Sequence, residues 1–227
     1  MLRAATAAEV RRVVMTSAAN AASPSSCSED GVTGETLWTD PDDPTLIPYR
    51  RSKTLAERAA WDYMATYGGP TELTTILPGA VFGPILATST IGSVGIIKHM
   101  LTGTLRGAPC IGLENVDACD LAGIHIRAMT SPKAAGERFL ATGEFTWMLD
   151  MARALKDEPG EDGRQVSTEQ TPDEAVRNNP AMSEIAPSLG RPTSTARPRH
   201  TPSWTGSPAR PARPLSLRRS LLSHGAV

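Results

Sequence analysis

A tyrosine and a lysine four residues apart are the residues of this sequence best suited to chemistry. Tyr49 and Lys53 lie in the run PYRRSKTLAE at positions 48–57. On a helix, this spacing brings the two side chains together on one face. A phenol with a pKa of about 10 is a poor acid or base at neutral pH, but a nearby ammonium lowers a phenol pKa. The pair is therefore suited to proton transfer, although the same spacing also occurs on ordinary solvated helix faces.

The elements around this pair are those of an α/β domain. Apolar residues at three- and four-residue spacing predict a helix over 49–67, which Gly68, Gly69 and Pro70 would end. Strands are predicted over 10–16 and 72–77, and further strands and helices alternate up to Lys156. This order predicts an α/β fold with a largely parallel sheet.

Other candidate residues follow the two predicted strands. The first strand ends at Thr16 and runs into Ser17 and Ala18. Ligands of open α/β sheets bind at the carboxyl edge, so a hydroxyl at this point is a candidate for contact with a substrate. The residues that follow the second strand are Pro78, Gly79, Ala80 and Val81.

In their order and spacing, these elements resemble the extended short-chain dehydrogenase/reductase family, in its dihydroflavonol-reductase-like and epimerase/dehydratase-like branch. The run 48–57 is similar to the catalytic helix of that branch. The run VDACDLAGIH at 116–125 resembles its later V-D-V-x-D-x-A-x-x-H segment. The resemblance covers residues 5–157 and implies a partial Rossmann-like parallel sheet with a small substrate lobe.

The resemblance implies an NAD(P)-dependent oxidoreductase that reduces a ketone or aldehyde, with NAD or NADP as cofactor. Tyr49 would transfer the proton, Lys53 would lower its pKa and hold the nicotinamide ribose, and Ser17 would orient the substrate oxygen. His125 would be a structural residue. The residues implied to pack beside the nicotinamide are Pro78, Gly79, Ala80 and Val81.

Two departures from the family pattern leave other functions open. Strict alignment places Ala18 where the family has its catalytic serine, and Ser17 lies one residue early, on the opposite face of a strand. No G-x-x-G-x-x-G turn precedes residue 10, so the sheet is expected to lack its first strands and the chain to bind a dinucleotide weakly. The alternatives are a non-catalytic truncated remnant of the family and an NAD-dependent sugar epimerase/dehydratase.

Charge and proline content divide the chain into unlike parts. All 24 acidic residues lie at or before Glu184, giving that part a net charge of −8, whereas the remainder has seven arginines and no acid. The strand and helix pattern ends after residue 157, and prolines recur from Pro187 on. We therefore predict the C-terminal part of an extended short-chain dehydrogenase/reductase domain, the enzyme-like domain, over 1–157, a linker with one short helix over 158–186, and a disordered Arg/Pro-rich tail over 187–227.

Composition excludes several other classes of protein. No apolar run reaches the roughly 18–20 residues that span a bilayer, and no signal peptide is recognisable. Three cysteines without a C-x-x-C pair and four scattered histidines favour neither disulfides nor a metal site. The acidic body disfavours nucleic acid. These features predict a cytoplasmic protein whose partner is a small-molecule carbonyl substrate, with a homodimer left open.

Overall fold

The computed structural model describes residues 1–24, 32–85, 92–158, 163–183, 185–190, 192 and 194–195. The helices are α1 (Leu2–Ala7), α2 (Pro48–Thr66), α3 (Val94–Leu101), α4 (Ala118–Thr130), α5 (Met148–Lys156) and α6 (Asp173–Arg177). The strands are β1 (Arg12–Thr16), β2 (Val32–Thr33), β3 (Glu72–Pro78), β4 (Ala80–Phe82), β5 (Gly112–Asp117), β6 (Arg138–Ala141), β7 (Phe145–Trp147) and β8 (Ser194–Thr195).

The described residues form two compact units, and the chain passes between them more than once. The first unit contains Met1–Gly79, Cys119–Thr142 and strand β8. The second contains Ala80–Ala118 and the described part of Gly143–Thr193. The sequence predicted one continuous domain over 1–157, because spacing along the chain does not show where a chain leaves one sheet for another.

The first unit is built on a parallel sheet, as predicted. Its strands lie in the order β1-β3-β6, and both neighbouring pairs are parallel. Strand β3 is the central one, and it is buried along almost its whole length, as parallel strands covered on both faces are. The small apolar clusters of this unit consist of Ile76, Ala128, Ala134, Phe139 and Ala141, and of Ala19, Ala22, Leu77 and Leu140.

Helix α2 connects β1 to β3 and carries the predicted Tyr49/Lys53 pair. It begins at Pro48, whose fixed φ and missing N–H suit the first helical position. It ends at Thr66, next to the predicted Gly-Gly-Pro stop. Its buried residues include three polar ones, Arg50, Thr54 and Glu57, and one apolar residue, Ala60. This helix is therefore held to its unit partly by polar contacts.

The second unit has a smaller, mixed sheet. Strand β5 pairs in parallel with β4 and antiparallel with β7. Helices α3, α5 and α6 supply much of its core, which consists of aliphatic residues and methionines with one phenylalanine. The buried members of the core are Phe82, Val94, Ile97, Met100, Ala108, Ile111, Met148, Met151, Ala152, Leu155, Val166, Val176 and Leu189.

This core extends beyond the predicted end of the enzyme-like domain. Val166, Val176 and Leu189 are all buried within it, and Gly190 N donates to Cys110 O at 2.7 Å. The stretch predicted as a linker, and the first residues of the predicted tail, therefore pack as part of the second unit. Polar residues and prolines dominate this stretch, so its few apolar residues were not recognised as part of a core. Residues 196–227 of the predicted tail lie outside the described residues.

Within the described ranges, no helix has both the length and the apolar character needed to cross a bilayer.

Candidate active site

The predicted catalytic pair lies on the first two turns of α2, next to the carboxyl end of β1. Tyr49 is 54% exposed. Lys53 is half-buried, and its Nζ donates to the main-chain oxygen of Thr16 at 3.5 Å. Since Thr16 is the last residue of β1, the helix brings the lysine ammonium to the strand edge where ligands of parallel sheets bind.

The four residues predicted beside the nicotinamide are divided between the two units. Pro78 ends β3 and pairs with Ala141, and Gly79 N donates to Ala141 O at 3.2 Å. These contacts place Pro78 and Gly79 at the same carboxyl edge as Thr16. Ala80 and Val81 belong to the second unit, where they form β4. Contact between these four residues and a cofactor stays a prediction.

The hydroxyl of Ser17 is directed into the interior of the first unit. Ser17 is 2% exposed, its Oγ donates to Glu57 Oε2 at 2.6 Å, and its N donates to Ile76 O at 2.7 Å. Ala18, at the family's serine position, is also buried and has an extended backbone with φ −158° and ψ 148°. Because successive residues of an extended chain point to opposite faces, Ser17 faces away from the side of Thr16 and Ala18.

Glu57 is the centre of a buried polar cluster that the sequence analysis missed. Its side chain is fully buried, and three further donors reach Oε1. They are Thr75 Oγ1 at 2.8 Å, Arg138 Nε at 2.9 Å and Trp61 Nε1 at 3.4 Å. Burial raises the pKa of Glu57, but the hydrogen bonds from Arg138, Ser17 and Thr75 and the charge of Arg138 outweigh it, so that the pKa lies below its usual value.

Arg138 connects this carboxylate to the segment that precedes α2. Its Nη1 donates to the main-chain oxygens of Glu35 and Leu37, both at 2.8 Å, and Nη2 donates to Ala21 O at 3.3 Å. The guanidinium carbon lies 3.7 Å from the centre of the Trp38 ring, a cation–π contact. The planar donor fork of arginine allows these contacts to be made together with the Glu57 bond.

A second polar contact joins the end of β1 to α4. Thr16 Oγ1 lies 2.8 Å from His125 Nε2, and His125 Nδ1 lies 2.9 Å from Leu121 O. A carbonyl oxygen only accepts, so Nδ1 carries a proton; in the neutral ring, Nε2 then accepts from the threonine hydroxyl. His125 thus connects the strand end to its own helix, which is a structural role.

The sequence held weak signals for this buried cluster. Glu57 follows Lys53 by four residues in the predicted helix, but an acid there is usually solvated. Its partners Ser17 and Arg138 lie 40 and 81 residues away along the chain. Without an alignment or a structure, no spacing rule connects these residues.

The strand edge provides donors that suit the sugar of a nicotinamide cofactor. An ammonium has three N–H groups. Within the described part of the chain, Lys53 uses one of them, on Thr16 O, so the others are free to bind ribose hydroxyls. No group of three or more His, Cys, Asp and Glu residues that could hold a metal ion occurs among the described residues.

Comparison with curated proteins finds plant and fungal reductases. The chain is 37% identical to cinnamoyl-CoA reductase 1 of Petunia hybrida over 159 residues, which cover 68% of this chain and 46% of that protein. It is 32% identical to dihydroflavonol 4-reductase of Gerbera hybrida over 114 residues, covering 50% of this chain and 30% of that protein. The chain thus spans less than half the length of these relatives.

Comparison with solved structures finds the same α/β fold. Gre2 from Candida albicans superposes with a TM-score of 0.72 at 24% identity, covering 96% of this chain and 66% of that one. A nucleoside-diphosphate-sugar epimerase from Pseudomonas aeruginosa superposes with a TM-score of 0.75 at 19% identity, covering 96% and 68%.

The family resemblance drawn from the catalytic helix and the strand ends is confirmed by a family model. Residues 1–140 match the model described as the NAD dependent epimerase/dehydratase family. The match contains α2, strands β1 and β3, and β6 up to Leu140. This chain therefore belongs to the NAD dependent epimerase/dehydratase family, with the Rossmann-like fold of its structural neighbours.

Proposed function

We propose that this chain carries the proton-transfer residues of an NAD(P)-dependent oxidoreductase that reduces a ketone or aldehyde. The observation that carries the proposal is the position of Tyr49 and Lys53. They lie one turn apart on α2, and the lysine ammonium is bound at the carboxyl end of β1. An exposed phenol one helical turn from an ammonium that lies at a ligand-binding strand edge is suited to give a proton to a carbonyl oxygen.

The two residues have separate tasks in the proposed reaction. The reduced nicotinamide, when bound, supplies the hydride that reaches the carbonyl carbon. Tyr49 donates its phenolic proton to the carbonyl oxygen, so that an alcohol forms and the phenolate remains. Lys53 stabilises that phenolate electrostatically and donates to the ribose hydroxyls. Pro78 and Gly79, at the same edge, are proposed to lie beside the nicotinamide.

The substrate class rests on the similarity to curated reductases. Cinnamoyl-CoA reductase and dihydroflavonol 4-reductase are among the relatives more than 30% identical to this chain. Similarity to the sugar epimerase is at the level of fold. These comparisons favour net reduction of a small-molecule carbonyl over a sugar epimerisation or dehydration. The buried hydroxyl of Ser17 favours a structural task for that residue over orienting the substrate.

The test is turnover of aromatic and aliphatic aldehydes and ketones with NADPH and with NADH, followed by loss of the reduced cofactor. Tyr49→Phe removes the transferable proton and should lower the rate on the order of 10²–10⁴-fold. Tyr63→Phe is the matched control, because it removes a hydroxyl from the same helix whose contact is with Thr6. The control should keep the wild-type rate.

Other outcomes would support the alternative functions. Equal turnover by the wild type and Tyr49→Phe would remove Tyr49 from the mechanism. Conversion of a nucleotide sugar without net loss of reduced cofactor would identify an epimerase or dehydratase. Absence of both turnover and calorimetric binding of NADPH and NADH would identify a non-catalytic chain.

A further inference from the structure

Three residues at four-residue intervals run along α2 from an exposed to a buried environment. Tyr49, near the start of the helix, is 54% exposed, Lys53 is half-buried, and Glu57 is fully buried. Residues four apart on a helix are neighbours on its surface, so the three form one stripe. The proposed catalytic pair and the buried carboxylate therefore share one rigid element and one side of it.

Glu57 connects this helix to each strand of the parallel sheet. Ser17, directly after β1, donates to Oε2; Thr75 of β3 donates to Oε1; and Arg138 of β6 donates to both oxygens, at 2.9 and 3.4 Å. Donors from two of the parallel strands, and from the residue that directly follows the third, thus hold the carboxylate against the sheet. The apolar contribution is small by comparison, because the buried residues of α2 are Ala60 and three polar side chains.

Two consecutive residues at the end of β1 contact Lys53 and Glu57. Lys53 donates to the main-chain oxygen of Thr16, and Ser17 donates to Glu57. Two consecutive residues at the end of β1 thus contact α2 one helical turn apart. A rotation or slide of α2 that broke the Glu57 bonds would also move Lys53 away from the strand edge.

We propose that Glu57 is a positioning residue for the Tyr49/Lys53 pair, which it holds at the carboxyl edge of the sheet through its bonds to Ser17, Thr75 and Arg138. The inference rests on the proposed function of Tyr49 and Lys53. A displacement of about 1 Å at a reacting group lowers a rate about 10²-fold. A buried, fully hydrogen-bonded carboxylate has little freedom to move, so it is suited to limit such displacements.

The first test measures the helix itself and does not require turnover. In Glu57→Gln, one acceptor oxygen and the charge are lost while the side-chain shape is kept. We expect the main-chain amides of residues 51–54 to exchange with solvent deuterium about tenfold faster than in the wild type. Amides of α4, which supplies none of the Glu57 donors named above, should change less, since a general loss of stability of the first unit would raise both together.

The matched control is a second ion pair of the first unit whose arginine side chain is buried. Arg12 bonds Glu72 at 2.6 Å, between the first residues of β1 and β3 and away from the proposed catalytic edge. Glu72→Gln should leave exchange at residues 51–54 at the wild-type rate. If the two variants raise that exchange equally, or if Glu57→Gln leaves it unchanged, the proposal is wrong.

The second test separates positioning from a merely structural role by kinetics. Glu57→Gln should lower kcat about 10²-fold with a smaller change in KM for the carbonyl substrate, whereas Glu72→Gln should alter neither. If Glu57→Gln does not fold, Thr75→Val replaces it, since it removes one bond to Glu57 and keeps the volume. Unchanged exchange and unchanged kcat in Thr75→Val would then overturn the proposal.

Failure of the proposed function has a different signature. A wild type without turnover, or Tyr49→Phe with full turnover, contradicts the proposed reaction, and the exchange measurement still decides whether Glu57 holds the helix. Loss of turnover in Tyr49→Phe, together with unchanged exchange and turnover in Glu57→Gln, contradicts the positioning role and leaves the reaction standing.

Discussion

Replacing Arg138 with methionine should reverse the pH dependence of the stability of the first unit. In the wild type, the pKa of Glu57 lies below its usual value of about 4.3. A carboxyl whose pKa is lowered by folding contributes stability above its unfolded pKa, and that stability is lost as the pH falls through the folded pKa. The stability that Glu57 contributes in the wild type should therefore be lost only as the pH falls below about 4.3.

In Arg138→Met, burial becomes the dominant influence on the carboxyl. Two of the hydrogen bonds to Glu57 and the opposing charge disappear, while Ser17 and Thr75 remain as donors. Desolvation then raises the pKa of Glu57 above its unfolded value. The sign of the pH dependence of stability therefore reverses. A carboxyl whose pKa is raised by folding contributes stability below about pH 4.3, and that stability is lost as the pH rises through the folded pKa.

The loss of stability expected in Arg138→Met follows from the burial of Glu57 and Arg138. Glu57 has no exposed side-chain surface and that of Arg138 is 9% exposed, so the unpaired carboxylate has no access to water. Removing one partner of a buried pair costs about 3–5 kcal/mol. We expect about 3 kcal/mol at pH 7, at the lower end, since two hydroxyl donors remain. The free energy of unfolding should be measured in urea, by circular dichroism, at pH 7, near pH 4.5 and near pH 3.5, on both sides of the usual glutamate pKa of about 4.3.

Arg12→Met is the control for this measurement. It also removes an arginine from an ion pair, but the Glu72 side chain is 40% exposed and stays hydrated when it loses its partner. The loss at pH 7 should be smaller, without a change in the sign of the pH dependence. The assignment of Glu57 and Arg138 as a buried charged pair would be refuted if Arg138→Met lost less than about 1 kcal/mol of unfolding free energy at pH 7. A pH dependence of the same sign as in the wild type would refute it as well.

Three further substitutions test other parts of the structure. Because its hydroxyl is bound to Glu57, Ser17→Ala should cost about 1 kcal/mol of stability and lower turnover far less than Tyr49→Phe does. A loss of turnover as large as that of Tyr49→Phe would show that Ser17 is catalytic. Gly83→Ala should destabilise the second unit by about 1–3 kcal/mol in urea unfolding, because φ is +152° and the new Cβ would lie 2.6 Å from Ala118 Cβ; wild-type stability would contradict this geometry. Leu189→Ala should cost about 2–5 kcal/mol, since Leu189 packs in the core of the second unit; an unchanged urea midpoint would instead place the end of the folded chain before it, as the sequence predicted.

The sequence by itself determined the local elements and the proposed catalytic pair. Helix α2 and strands β1 and β3 were predictable because their signals lie within a few residues: apolar periodicity, a proline at the first helical position, and a Gly-Gly-Pro stop. Tyr49 and Lys53 were recognisable for the same reason, since their spacing and the first turns of the helix that carries them lie within residues 48–57.

Tertiary structure alone decided which strand joins which sheet and what the polar residues of α2 contact. Strand β3 continues through Gly79 into β4, which pairs in the other unit, and no local pattern marks that transfer. Whether the hydroxyl of Ser17 reaches a substrate or Glu57 depends on the direction of one extended residue and on a carboxylate 40 residues away. The burial of Glu57 and Arg138 results from three strands and a helix assembling together, so it is a property of the packed unit and not of any one segment.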